Sequence, residues 1–158
     1  MIPKYVAEEL ESARKFFDAN KKCIFCSMIE SEQAQKARVV VENEDFIVFC
    51  PFAPRYPFEC WIFPKKHSSQ FAFLHDREHY NLAHILRDVM SRLKVCLDDP
   101  SYNYYFHIPP ANSQNHAESF HWHIEIAPKL TSPSGFEWGT GFYDVPISPE
   151  TAAKYLRG

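Results

Sequence analysis

The stretch His121-Trp122-His123-Ile124-Glu125-Ile126 constrains this chain more than any other. With the two-residue period of an extended strand, it places His121, His123 and Glu125 on one face and Trp122, Ile124 and Ile126 on the other. The helical period would scatter both sets. The apolar face needs a core to cover it, and the His-His-Glu face has to meet solvent, a metal or a ligand. A solvent-facing edge strand gives the same alternation, so the rest of the chain has to decide.

The second constraint is Cys23-Ile24-Phe25-Cys26, in a chain with 5 cysteines. The first residues carry early carboxylates and no apolar signal-peptide core, so a cytoplasmic location is expected, where disulfides do not persist. No run approaches the ~20 apolar residues of a membrane span. A net charge of −3 argues against nucleic acid and anionic membranes as partners. A redox Cys-x-x-Cys expects a βαβ context, but here a helical pattern precedes the pair and paired strands follow it. Zinc binding is the better reading: it takes four tetrahedral ligands from thiolate and imidazole, two of them close in sequence. His67, just after the apolar run ending at Phe63-Pro64, and the pair His121 and His123 are the histidines available to complete a site. His75, His79 and His84 go with a long helix and its wet face. His107 and His116 flank a loop; either could touch a ligand, and a surface place is the expectation. Cys50, Cys60 and Cys96 sit in apolar runs and read as core.

The pattern along the 158 residues is that of a single α+β domain with a largely antiparallel sheet. Helical spacing runs over residues 3–20 and a shorter helix over 24–32. Strands follow at 38–42, 46–50 and 59–64, the first two joined by the turn Asn43-Glu44-Asp45. Residues 51–57 hold 3 prolines and must be irregular. Leu82, Leu86, Val89, Leu93 and Cys96 mark the longest helix, 76–97. An aromatic strand at 102–108, a glycine-free polar loop at 109–119 and the motif strand at 120–127 complete a core region, residues 21–130. The region 131–158 reads as a loop with Gly135, Gly139 and Gly141, then a closing helix from about 149. With 16% aromatic residues, the core should be rich in rings.

The motif strand resembles the His-φ-His-φ-x-φ strand of the histidine-triad superfamily. The chain as a whole is similar to the galactose-1-phosphate uridylyltransferase branch, in its carboxy-terminal half. The likeness runs through Val6-Ala7-Glu8-Glu9-Leu10, Cys23-Ile24-Phe25-Cys26, Glu42-Asn43-Glu44, the run from Phe49 to Glu59 and Pro64-Lys65-Lys66-His67. It continues through the motif strand to Gly135-Phe136-Glu137-Trp138-Gly139-Thr140-Gly141-Phe142-Tyr143. The resemblance implies a histidine-triad-like fold, an antiparallel sheet flanked by helices. It implies zinc on Cys23, Cys26, His67 and His121, a closed structural site. It makes His123 the nucleophile that takes a nucleotidyl group from a nucleoside diphosphate sugar, supported by Glu125 and Ser119. Asn112 and Gln114, with Phe136, Trp138, Gly139, Thr140 and Gly141, would contact the nucleotide or nucleotide sugar. Glu125 stands where the active half of the family has glutamine. Two readings stay open: a nucleotidyltransferase or hydrolase, and a non-catalytic zinc-stabilised module that binds a nucleotide or assembles with a partner half or its own copy.

Overall fold

The hairpin expected around Asn43 is formed, and its turn has a local cause. The Asn43 side-chain oxygen accepts from the N–H groups of Asp45 (3.1 Å) and Phe46 (2.8 Å), reversing the chain between strands β1 (Val39–Glu42) and β2 (Phe46–Phe49). The computed structural model describes residues 2–110 and 116–158. Strand β3 (Cys60–Pro64) pairs antiparallel with β2, and β5 (His123–Pro128) follows on its other side. Strand β4 (Tyr102–His107) closes the order β1-β2-β3-β5-β4 as an outer strand. Every neighbouring pair is antiparallel.

Helices cover both faces of this sheet, so β2 and β5 are buried throughout instead of alternating with solvent. On one face, Phe46, Val48, Ile62, Trp122, Ile124 and Ile126 pack against α3 (Asp76–Cys96) and α5 (Pro149–Arg157) through Leu82, Val89, Leu93 and Leu156. On the other, Ile47, Phe49, Phe63 and Phe120 meet α1 (Lys4–Asn20) and α2 (Ile24–Gln35) through Leu10, Ala13, Phe25 and Ile29. The motif's two rows therefore face different cores: Trp122, Ile124 and Ile126 one, the histidines and Glu125 the other.

Three expectations change. The motif strand begins at His123, not at 120, and the Trp122 N–H donates instead to the Ser68 carbonyl at 3.0 Å. The glycine segment is not a loop but a short helix, α4 (Gly135–Thr140). Its cause is a capping pattern: Glu137 accepts from the Ser134 N–H at 2.8 Å, and Gly141, at φ 73°, closes the turn. Cys50 and Cys60 are core as expected, but Cys96 is only partly covered, its thiol turned to the Tyr155 carbonyl at 3.6 Å.

Candidate metal centre and the adjoining histidine cluster

Cys23 ends the reversal after α1, where Lys21 takes a left-handed conformation (φ 53°). From there α2 starts, which puts Cys26 one turn into the helix and beside Cys23. His67 follows β3, and His121 precedes β5, its neighbour in the sheet. The fold thus gathers donor atoms of Cys23, Cys26, His67 and His121 within 4.8 Å of one another. The Cys26 sulfur lies 3.2 Å from His67 Nδ1 and 3.6 Å from His121 Nδ1. A tetrahedron with Zn–S about 2.3 Å and Zn–N about 2.0 Å has S···N edges of roughly 3.5 Å. The donors fit such an ion.

The surroundings favour the ligand form at Cys23 and His121, while the contact with Cys23 raises the pKa of His67. His67 Nε2 lies 2.9 Å from the Ala117 carbonyl, an acceptor only, so it carries the proton and leaves Nδ1 a lone pair toward the cluster. Burial lowers the pKa of His121, which keeps its ring neutral. The hydrogen bond from Cys26 holds Cys23 well below the ordinary thiol range, and Cys26 is pushed up in turn by the same bond to Cys23. With four protein donors, Cys23 and His121 both buried, the cluster leaves no open coordination position for a substrate.

Next to it lies a second polar group inside the same core. His123 is fully buried, its ring stacked on Phe63 (centroids 4.6 Å apart) and on His107 (4.7 Å). Its Nδ1–H donates to the His121 carbonyl at 3.1 Å, which leaves the lone pair on Nε2. That nitrogen has no hydrogen-bond partner among the described residues; Glu9 Oε1 of α1 lies 3.5 Å away and Glu125 Oε1 3.7 Å. Glu9, His107 and His123 form a further group of three donors with metal-ligand spacing.

Glu125 is held by the Arg55 guanidinium from the proline-rich segment and by the Tyr105 hydroxyl, which donates at 2.7 Å. Burial works against its charge, but the His107 and Arg55 charges and the Tyr105 hydroxyl help bring its pKa down to about 2. Arg55 is placed by its own loop: Glu59, buried, accepts from the Arg55 N–H at 2.7 Å and the Tyr56 N–H at 3.1 Å.

His107, expected at the surface, is partly buried and central to this cluster; its Nδ1 lies 2.7 Å from Glu9 Oε2 and its Nε2 3.6 Å from Glu125 Oε1. The strand period held the signal, since Tyr105 and His107 register with Glu125 and His123. Glu9 and Arg55 lie in stretches that resemble the family, but no spacing pointed them at this site, because only folding brings α1 and the proline segment over this face. Ser119 is buried, and its hydroxyl has no partner among the described residues. Asn112 and Gln114 lie outside the described residues. Phe136, Trp138, Gly139, Thr140 and Gly141 lie on α4 and its cap. Trp138 is 80% exposed, and none of the five shares a hydrogen bond or ring contact with His123 or Glu125 among the described residues.

Residues 8–133 match the family model for the galactose-1-phosphate uridyl transferase C-terminal domain. An ADP-glucose phosphorylase of Arabidopsis thaliana is 36% identical over 99% of this chain and 44% of its own length. A galactose-1-phosphate uridylyltransferase of Thermotoga maritima is 31% identical over 99% of this chain and 51% of its own. A crystal structure of the Arabidopsis thaliana ADP-glucose phosphorylase with bound ADP-glucose superposes with a TM-score of 0.88, at 35% identity, over 99% of this chain and 50% of that one. A zinc-bound histidine triad protein of Mycobacterium smegmatis shares the fold at a TM-score of 0.58 and 18% identity, over 85% of this chain and 90% of that one. The chain spans about half the length of the two curated relatives. It belongs to the galactose-1-phosphate uridyl transferase family, matching its C-terminal domain.

Proposed function

We propose that this chain acts in nucleotidyl transfer on nucleoside diphosphate sugars, on a scaffold locked by a structural zinc at Cys23, Cys26, His67 and His121. The observation that carries the metal is the convergence of two thiols and two imidazole Nδ1 atoms within 4.8 Å. The substrate class is supported by the relatives named ADP-glucose phosphorylase and galactose-1-phosphate uridylyltransferase. Bound there, zinc would supply cross-linking between the N-terminal helices and the sheet.

The nucleophile in this reading is His123 Nε2, and its support is the fixed tautomer: Nδ1–H is committed to the His121 carbonyl and Nε2 is left unpartnered. Attack would form an N–P bond at the α-phosphorus and break its bond to the bridging oxygen, which leaves with the sugar phosphate. A second sugar phosphate, or water, would then take the nucleotidyl group and restore the ring. In this reading Glu125 and Ser119 support His123. The nucleotide or nucleotide sugar meets Asn112 and Gln114, with Phe136, Trp138, Gly139, Thr140 and Gly141 toward the sugar phosphate.

A specific observation favours a second reading, a non-catalytic zinc-stabilised module. Nε2 of His123 is closed off from solvent and faced by two carboxylate oxygens, which repel a phosphate. One experiment separates the two. The chain is incubated with UDP-glucose or ADP-glucose labelled at the α-phosphorus, and acid-labile label on histidine is sought. Label that disappears in His123→Asn and rises in Glu9→Gln supports the nucleophile. No label on a chain that still binds the nucleotide sugar leaves the module reading.

A further inference from the structure

Cys50 and Cys60 stand opposite one another, at the two ends of the stretch 51–59 that joins β2 to β3. The β2–β3 register, which runs from Phe46 against Pro64 to Phe49 against Trp61, continues to this pair. The Lys65 N–H donates to the Asp45 carbonyl at 2.7 Å, so the pair 45/65 is a hydrogen-bonded one. Bonded and non-bonded pairs alternate along an antiparallel ladder, which makes 47/63 and 49/61 bonded and 50/60 non-bonded. The Cys50 N–H agrees: it turns away from β3 and donates to the Arg38 carbonyl at 2.9 Å. A non-bonded pair sets its Cα atoms about 4.5 Å apart and brings its side chains together. A disulfide accepts Cα separations of roughly 4.4–6.8 Å.

Both side chains lie on the face of Val48 and Ile62, buried, and both are free thiols. The Cys60 thiol is in contact with Cys50 and lies 3.5 Å from the Phe58 carbonyl. That contact with Cys50, and burial, push the Cys60 thiol up, so the closed fold keeps it protonated and unreactive. Access to the sulfurs therefore depends on residues 51–59. The stretch holds 3 prolines, and Phe58 has a φ of 61°, a conformation disfavoured for any side chain. Its own main chain makes one hydrogen bond among the described residues, from the Glu59 N–H to the Tyr56 carbonyl at 3.2 Å. Lifting this stretch uncovers both thiols together. The same stretch carries Arg55, whose guanidinium holds Glu125.

We propose that Cys50 and Cys60 form an oxidation site, closing to a cross-strand disulfide when the chain meets a low-molecular-weight disulfide such as glutathione disulfide. One protein thiolate attacks a sulfur of the reagent, forms a mixed disulfide and expels a glutathione thiolate. The other protein thiolate attacks the protein sulfur of that mixed disulfide and expels the second glutathione thiolate. The protein pair gives up two electrons and two protons, and the reagent leaves as two thiols. The new bond closes residues 51–59 at their base and removes conformations in which they stand open. Arg55 is thereby held more firmly on Glu125. In a reducing compartment such a bridge is a transient, redox-sensing one. Two thiols serving only as small core residues gain nothing from facing each other in the register that a disulfide fits.

Peptide mapping of the zinc-loaded full chain tests this. The chain is brought to equilibrium in glutathione buffers from reducing to oxidising, starting from both its reduced and its oxidised form. Free thiols are then blocked in denaturant and the chain is digested with trypsin. Cleavage after Arg38, Arg55 and Lys65 puts Cys50 in peptide 39–55 and Cys60 in peptide 56–65. The two peptides should travel as one linked mass, two hydrogens below their sum, and separate on reduction. The linked chain should melt ~5 °C higher, as closure of a short loop gives. Amide exchange at Arg55 and Tyr56 should slow tenfold or more, with α3 unchanged. Cys60→Ala should lose all three responses. Absence of the linked peptides at equilibrium in oxidising buffer, or a linked chain that melts lower or exchanges no slower at Arg55 and Tyr56, overturns the proposal.

Discussion

At the residue scale, Glu125 has the most particular setting. It is a carboxylate in a core of rings, with Phe63, Phe25, Phe120 and Trp61 around the neighbouring His123. It stays ionised because His107, Arg55 and Tyr105 offset the burial cost. Its folded pKa, about 2, lies below the ordinary value of 4.5, so its stabilising contribution is present above pH 4.5. That contribution is lost as the pH falls from 4.5 towards 2. Urea midpoints measured across that window should fall steeply for the parent and more gently for Glu125→Gln. At neutral pH the variant should lose ~2 kcal/mol, the scale of breaking a pair whose cationic partner is part-exposed. Cys23→Ser should lose most of the bound zinc by metal analysis and melt at lower temperature; a metal-free, fully stable parent chain would contradict the zinc reading. How legible such residues were depended on where their partners lie. Cys23 and Cys26 stood out because they are close in sequence. Arg55 and Glu9 did not: each meets Glu125 or His123 across 70 or more positions, Arg55 with Glu125 at a separation of 70.

At the element scale, local chemistry sets most boundaries. Asn43 makes the β1–β2 turn, Ser134 and Glu137 start α4, and the Ser148 hydroxyl caps α5 by accepting from the Thr151 N–H at 3.2 Å. Ser148→Ala should cost about 1 kcal/mol by denaturant unfolding, since it frees that N–H. The effect should spread beyond α5, because Leu156 and Ala153 lie in the core under β1 and α3. The helices and strands were legible from periodicity to within a few residues. The start of β5 was not, since the alternation continues back to Phe120 while the backbone of Trp122 pairs with Ser68 instead of with a strand. The α4 helix was readable in principle from Ser134-x-x-Glu137, but the glycines on either side obscured it.

At the scale of the whole molecule, the four-donor cluster joins the start of α2 to the exits of two sheet strands, and α1 lies over the same face. Removing zinc with a chelator should therefore loosen α1 and α2 before the α3–α5 face. Limited proteolysis should then cut near residues 20–22, with cleavage suppressed when zinc is restored. Equal protection with and without metal would mean that the cluster does not hold the domain together.

What the sequence by itself determined is the class of fold, the Asn43 turn and the closely spaced Cys23–Cys26 pair, because each rests on spacing along one or two segments. Only the tertiary structure decided what surrounds His123. Its stacking on His107, the reach of Glu9 from α1 and the Arg55–Tyr105 hold on Glu125 come from four segments that meet only on one sheet face. No local pattern encodes such a meeting, since it depends on which helix covers which face of the sheet. The histidine motif itself was plain in the sequence, and its burial between two carboxylates was not.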